Sequence, residues 1–174
     1  LYQKRLLEPA FGGGDFLIPI INRLLVAWRS TPGIKDPLLD LKDTVRAVEL
    51  HQETFRSTYS AIVALLQQEK LTYQTATNLA NSWLIQGDFL TTSLEGKFDF
   101  VIGNPPYIRQ ELIPSQLLAE YRSRYQTMYD RADIYIPFIE RSLAVLSQGG
   151  TLGFICADRW MKNRYGGPLR SLIA

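Results

Sequence analysis

The sequence predicts an α/β protein, an open and mostly parallel sheet with helices on both faces. Three observations predict it. Short apolar segments alternate with longer segments of helical spacing along the chain. The segment "FDFVIG" (98–103) is apolar almost throughout, as in parallel strands buried on both faces. A glycine turn, "FGGGDFL", joins an early strand to a helix.

The elements follow in order. Residues 5–10, "RLLEPA", read as the first strand, and "DFLIPIINRLLVAW" as a buried helix with Pro19 near its first turn, where a kink is expected. Residues 30–43 are rich in Pro, Gly and charge and read as a surface insertion. "TVRAVEL", ending at Leu50, is the second strand. Phe55, Tyr59, Ile62, Val63 and Leu66 have helical spacing, and a second short helix follows over "YQTATNLANS". "WLIQGDF" is the third strand and "FDFVIG" the fourth. A helix is expected from Pro114–Ser115 to about Arg124. A long one over "DIYIPFIERSLAVLSQGG" is closed by Gly149 and Gly150. "TLGFICA" is the fifth strand, and "NRYGGPLRSLIA" opens another helix.

Composition narrows the chemistry. The 174 residues suit one domain, and none of the apolar runs approaches the roughly 20 residues that span a bilayer. With one cysteine, Cys156, there is no internal disulfide, and its apolar surroundings predict a buried thiol. One histidine, His51, and one cysteine cannot build a His/Cys metal centre, and no nucleophile elbow surrounds His51. No metal is expected, and the default address is cytoplasmic. Net charge is +2; residues 104–174 carry nine Lys/Arg against six Asp/Glu, a weak hint of a polyanionic partner on that side.

In open α/β sheets, ligands bind beyond the carboxyl ends of the strands. Four such ends carry polar groups. "EPAFGGGDF" offers Glu8, suited to an ammonium, and Gly12 and Gly14, which let a ligand approach the main chain; it lacks the third glycine of a dinucleotide loop, and Asp15 would repel pyrophosphate. Glu49 can accept from both hydroxyls of a ribose, or simply charge a helix start. Asp88 can accept from an exocyclic amine while Phe89 packs a nucleobase face, or Phe89 can be core.

The fourth end is "NPPY". Asn104 precedes a proline, so its backbone is held extended, and Pro105 and Pro106 have fixed φ and no N–H. Acceptors are therefore held stiffly with few competing donors. Tyr107 adds a flat apolar face. The set suits a planar amine, whose two hydrogens meet acceptors while a ring stacks on its π-face.

"NPPY" at a strand end, downstream of "EPAFGGGDF", resembles the S-adenosylmethionine-dependent amino-methyltransferases, specifically the DNA adenine-N6 group in its gamma arrangement. The stretch "ADIYIPFIERSLAVLSQGGTLGFICADRWMKNRYGGPLR" is similar to large, type IIG-like restriction–modification methylases. The resemblance covers nearly the whole chain. It implies a Rossmann-like class I methyltransferase fold, incomplete at both ends, with a cofactor-binding half (1–97) and a catalytic half (98–174). It further implies S-adenosylmethionine as cofactor and double-stranded DNA, with a flipped adenine, as partner. The target-recognition segment, and any nuclease segment, would lie elsewhere in a parent protein.

Carried over by residue, Glu8 would meet the methionine ammonium, and Ala10, Gly12 and Gly14 would line the cofactor. Glu49 would bind the ribose, with Leu50 against the adenine ring. Asp88 would accept from the cofactor's adenine amine, with Phe89 packed nearby. Asn104 and the Pro105 carbonyl would take the target N6 hydrogens, Pro106 would stiffen the tip, and Tyr107 would stack on the base. Two departures stand out: Phe11 occupies a loop position usually small in the group and is expected to narrow the pocket, and 30–43 lengthens the gap before Glu49. Similar tips occur in methyltransferases of RNA bases and of protein glutamine amides, which is the alternative substrate class. A core that binds cofactor without turnover in isolation is the other.

Overall fold

The computed structural model describes residues 3–33 and 35–174. Five strands, β1 (Leu6–Glu8), β2 (Val45–Glu49), β3 (Leu84–Gln86), β4 (Phe98–Gly103) and β5 (Leu146–Phe154), form one sheet in the order β3-β2-β1-β4-β5. Every pairing is parallel, with Leu6 opposite both Val45 and Phe100. The chain winds outward from β1 to β3, then returns to place β4 on the other side of β1. Connections leave β1 and β4 in opposite directions, which opens a crevice at their carboxyl ends.

Among the described residues, seven α-helices flank the sheet: α1 (Leu17–Ser30), α2 (Pro37–Leu41), α3 (Gln52–Gln68), α4 (Tyr73–Trp83), α5 (Ser115–Arg124), α6 (Tyr135–Val145) and α7 (Gly167–Ile173). The two-residue period of a strand sends alternate side chains to opposite faces. Val45 and Ala47 join a core with Ile21 and Leu25 of α1, Ile62 and Leu66 of α3, and Leu79 and Trp83 of α4. Val48, Leu7 and Val101 join a second core with Tyr121 of α5, Ile136 and Phe138 of α6, and Leu169 of α7. Each fully buried Val, Leu or Ile contributes about 1.5–3 kcal/mol. β2 is buried on both faces, but β4 is not: Val101 is buried, while Phe100 and Ile102 on its other face are only half-buried, which corrects the reading of "FDFVIG" as covered on both sides.

Three expectations need correction. The long helix ends at Val145, not at the glycines: Leu146 turns extended (φ −67, ψ 144) and pairs with Phe98. The chain then bulges through 147–150, with Gly149 at φ +75, before Thr151–Phe154 pair with Phe100–Gly103. Gly149 thus serves a turn inside β5, a conformation that favours glycine. The helix is closed instead by Lys97, whose ammonium donates to the Ala144 carbonyl. The fifth strand accordingly starts earlier than expected and stops at Phe154.

Second, 30–43 is not merely surface insertion. Asp36 accepts from the Leu38 and Leu39 N–H groups at 2.9 and 3.0 Å and starts α2, with Pro37 in its first turn. Leu41 is fully buried, and its carbonyl accepts from the Trp83 indole at 2.8 Å. Ile34 lies outside the described residues. Third, Cys156 is only half-buried. Pro19 falls in the first turn of an uninterrupted α1, where its missing N–H has no helical partner to lose.

Candidate active site

A cleft of about 250 Å³ opens at the crevice between β1 and β4. Ala10, Gly12, Glu49, Leu50, Asp88, Phe89, Asn104 and Pro106, all expected from the sequence, line it together. Glu8, Gly14, Pro105 and Tyr107 lie outside the lining.

The floor is built by mutual support. Gly12 donates its N–H to Glu49 Oε2 at 3.0 Å, and His51 donates its N–H to Glu49 Oε1 at 2.8 Å. One carboxylate therefore ties the glycine turn after β1 to the start of α3. Each oxygen keeps a lone pair. Thr58 of α3 donates to the Gly12 carbonyl at 2.8 Å, locking the turn from the other side. Gly14 has φ +88, and a Cβ there would press on Ile18 and Thr58 at 3.1–3.2 Å, so its role is the turn itself. Phe11 does not narrow the cleft. It is 2% exposed and packs into the first core beside Phe55, ring centroids 5.9 Å apart.

Asp88 follows β3. Its Oδ1 accepts from the Leu90 N–H at 2.9 Å, and its Oδ2 accepts from the Tyr121 hydroxyl at 2.7 Å and the Thr91 hydroxyl at 3.3 Å. Phe89 is buried against Phe138, centroids 4.9 Å apart, with the Arg141 guanidinium 4.8 Å from its ring centre. It is core and cleft wall at once.

Glu8, at the end of β1, is 1% exposed, and its Oε2 has no partner. Burial, aided by Asp15, pushes its carboxyl up to about 8. Glu8 is therefore largely protonated at neutral pH, and a cation brought beside it would ionise it.

The tip after β4 is arranged differently. Asn104 is exposed, and its carboxamide makes no hydrogen bond within the described residues. Pro105 is buried and Pro106 half-buried. The tip is pinned on either side: Gly103 accepts from the Ile155 N–H at 3.1 Å, and Ile108 accepts from the Ile134 N–H at 3.0 Å. The Tyr107 ring is half-exposed, leans on Tyr135 with centroids 5.6 Å apart, and donates its hydroxyl to the Ile155 carbonyl at 3.3 Å.

Pro9 and Gly87, within the same strand-end stretches, line the cleft too, and sequence reasoning missed His51, Ile108, Tyr121, Ile134 and Phe138. His51 was legible as the residue after Leu50. The others come from segments after the tip, and only packing brings them there.

The family described as Eco57I restriction-modification methylase matches residues 29–174. The chain belongs to that family. Across its whole length it is 72% identical to the Type II methyltransferase M.PaeR7I of Pseudomonas aeruginosa and 50% identical to M.XhoI of Xanthomonas vasicola. It spans 30% and 32% of the length of these curated relatives. Among solved structures, a class I S-adenosylmethionine-dependent methyltransferase of Listeria monocytogenes superposes with a TM-score of 0.63 at 19% identity, covering 98% of this chain and 44% of that one. The restriction-modification enzyme LlaGI superposes with a TM-score of 0.65 at 16% identity, covering 97% of this chain and 19% of that one. The chain thus shares the fold of these two proteins, a parallel α/β sheet with helices on both faces. No helix among the described residues is long and apolar enough to cross a membrane.

Proposed function

We propose that this chain is the catalytic core of a DNA adenine-N6 methyltransferase of a restriction–modification system, with S-adenosylmethionine as methyl donor. The observation that carries the reading is the Asn104 tip, with its amide unbonded, on the same cleft as Glu49 and Asp88. The family and the 72% identity to a Type II methyltransferase support it.

The residues fit this cofactor. Leu50, Phe89 and Phe138 give an apolar wall for a purine, Asp88 and Glu49 retain acceptor capacity, and Glu8 has a buried oxygen that lacks a donor. Asp88 would hold the adenine amine, Glu49 the ribose hydroxyls and Glu8 the methionine ammonium. When bound, the cofactor supplies a methyl group on a positively charged sulfur.

The chain's own residues do the rest. The target amine is a weak nucleophile, because its lone pair is delocalised into the ring. The Asn104 side-chain oxygen and the Pro105 carbonyl would accept its two hydrogens, favouring a localised lone pair on nitrogen. They would also stabilise the positive charge that grows there as the new bond forms. The prolines fix both acceptors before the base arrives, so no reorganisation is needed at that moment. Tyr107 would stack on a base taken out of the duplex. The proton lost afterwards leaves from a cationic nitrogen and needs no strong base, consistent with a cleft whose only imidazole is His51.

The test is Asn104→Ala in the full-length protein. Methylation of DNA should fall about 10²–10³-fold, as when a preorganised polar partner of the transition state is removed. S-adenosylmethionine binding by calorimetry should persist. Undiminished DNA methylation by the variant would defeat the reading. Transfer to RNA or to a protein amide, in an assay offering all three substrates, would correct the substrate.

A further inference from the structure

We propose that Tyr121 is a positioning residue for the cofactor, its hydroxyl fixing the Asp88 carboxylate so that the acceptor facing the cleft reads the exocyclic amine of the adenine ring. This deepens the methyltransferase reading and rests on it.

Tyr121 stands on α5, beyond the tip, 33 positions after Asp88. It is 2% exposed, lines the cleft, and donates to Asp88 Oδ2 at 2.7 Å. Burial, with Asp88 alongside, raises its pKa, so it remains a donor at any working pH. A carboxylate offers about four lone-pair positions. Leu90, Tyr121 and Thr91 occupy three. The remaining one is left for a donor from the cleft.

A bound purine with a 6-amine presents such a donor. A 6-oxo purine presents a carbonyl lone pair to a carboxylate and is rejected, since a site built for a donor leaves its own acceptor unpaired otherwise. Discrimination requires that the carboxylate cannot turn away. Leu90 and Thr91 belong to the same turn as Asp88 and move with it. Among the described residues, Tyr121 is the donor from a separate element, so it ties the carboxylate to α5. A Phe would fill the same space without burying a hydroxyl. The hydroxyl's desolvation is offset only by its bond to Asp88.

The experiment uses the full-length protein and two probes, S-adenosylhomocysteine and its 6-oxo counterpart S-inosylhomocysteine, with affinities measured by calorimetry. Wild type should prefer the adenosyl probe. Tyr121→Phe should weaken adenosyl binding about tenfold, the scale of one lost hydrogen bond to a charged group. It should shrink the adenosyl-to-inosyl ratio and raise KM for S-adenosylmethionine, with kcat unchanged. In an Asp88→Asn background, Tyr121→Phe should have little further effect, because the two act as one unit.

Wild-type affinity and discrimination in Tyr121→Phe would overturn the proposal. So would an equal loss in Tyr125→Phe, whose hydroxyl donates from the residue just past the end of α5 to the Leu90 carbonyl, since that would mark general docking of α5. If wild type binds neither probe, the methyltransferase reading itself fails. Should Tyr121→Phe not fold, the Asp88→Asn variant decides: unchanged discrimination there overturns the proposal.

Discussion

The proposed cofactor side and the proposed catalytic side of the cleft both present acceptors at strand ends, and they hold them by opposite means. Glu49 and Asp88 are fixed by donors from the chain itself: Gly12 and His51 for one, Leu90, Thr91 and Tyr121 for the other. Among the described residues Asn104 has no such donor, and it stands exposed; its stiffness comes from the two prolines that follow it. A ligand that contributes many contacts can share acceptors that are already partly used. A transition state that presents one amine is better served by acceptors with no prior claim on them. The catalytic tip gains availability by giving up the hydrogen bonds that would otherwise hold it, and covalent rigidity replaces them.

The comparison predicts that removing an acceptor does different damage on the two sides. Asn104→Ala, the largest effect on turnover, should leave folding stability within about 0.5 kcal/mol of wild type, as for an exposed side chain without partners. Glu49→Ala should do the reverse. It orphans the Gly12 and His51 N–H groups, loosens the glycine turn from α3, and should cost about 2–3 kcal/mol by urea denaturation, with cofactor binding lost alongside. Equal stability losses in the two variants would erase the distinction.

Much of this arrangement was legible because strand ends are written locally. Glu49, Asp88 and Asn104 each follow a short apolar run, and "NPP" announces its own stiffness. The boundary between α6 and β5 was not legible, because Gly149 and Gly150 read equally well as a helix stop and as a turn within a strand. The choice was made by Leu146, which pairs with Phe98, a partner remote in sequence. Phe11 was misjudged for the same reason: whether it turned towards the cleft or the core depended on Phe55 of α3. Tyr121 carried no local signal at all, since an amphipathic helix buries aromatic residues routinely and its hydroxyl has meaning only beside Asp88.

Glu8 sharpens the comparison further, as the acceptor on the cofactor side that the chain leaves without a donor on Oε2. Its carboxyl titrates near 8 when folded, against an ordinary value of 4.5. Between these values the folded protein holds a proton that the unfolded chain has released. Stability should therefore fall as pH rises across that window and level off above it. Glu8→Gln cannot lose that proton. Its stability should exceed that of wild type by about 4 kcal/mol at pH 8, with the difference vanishing near pH 4.5. Denaturation at the two pH values, without cofactor, checks this, and parallel pH profiles would show that Glu8 is ionised in the folded state.

The smallest effect tests the rigidity argument directly. Pro106→Ala keeps every acceptor at the tip and adds an N–H, while freeing one φ angle. The unfolded chain gains freedom, so stability should drop by about 0.4–1 kcal/mol. If the prolines serve preorganisation, kcat should fall severalfold, because Asn104 and the Pro105 carbonyl must then be ordered during the reaction. Cofactor affinity should not change, since Glu49 and Asp88 are held by bonds that do not pass through the tip. A loss of cofactor affinity equal to the loss in kcat would mean that the two sides of the cleft are held as one, and that hydrogen bonds on the cofactor side contribute to the stiffness assigned here to proline.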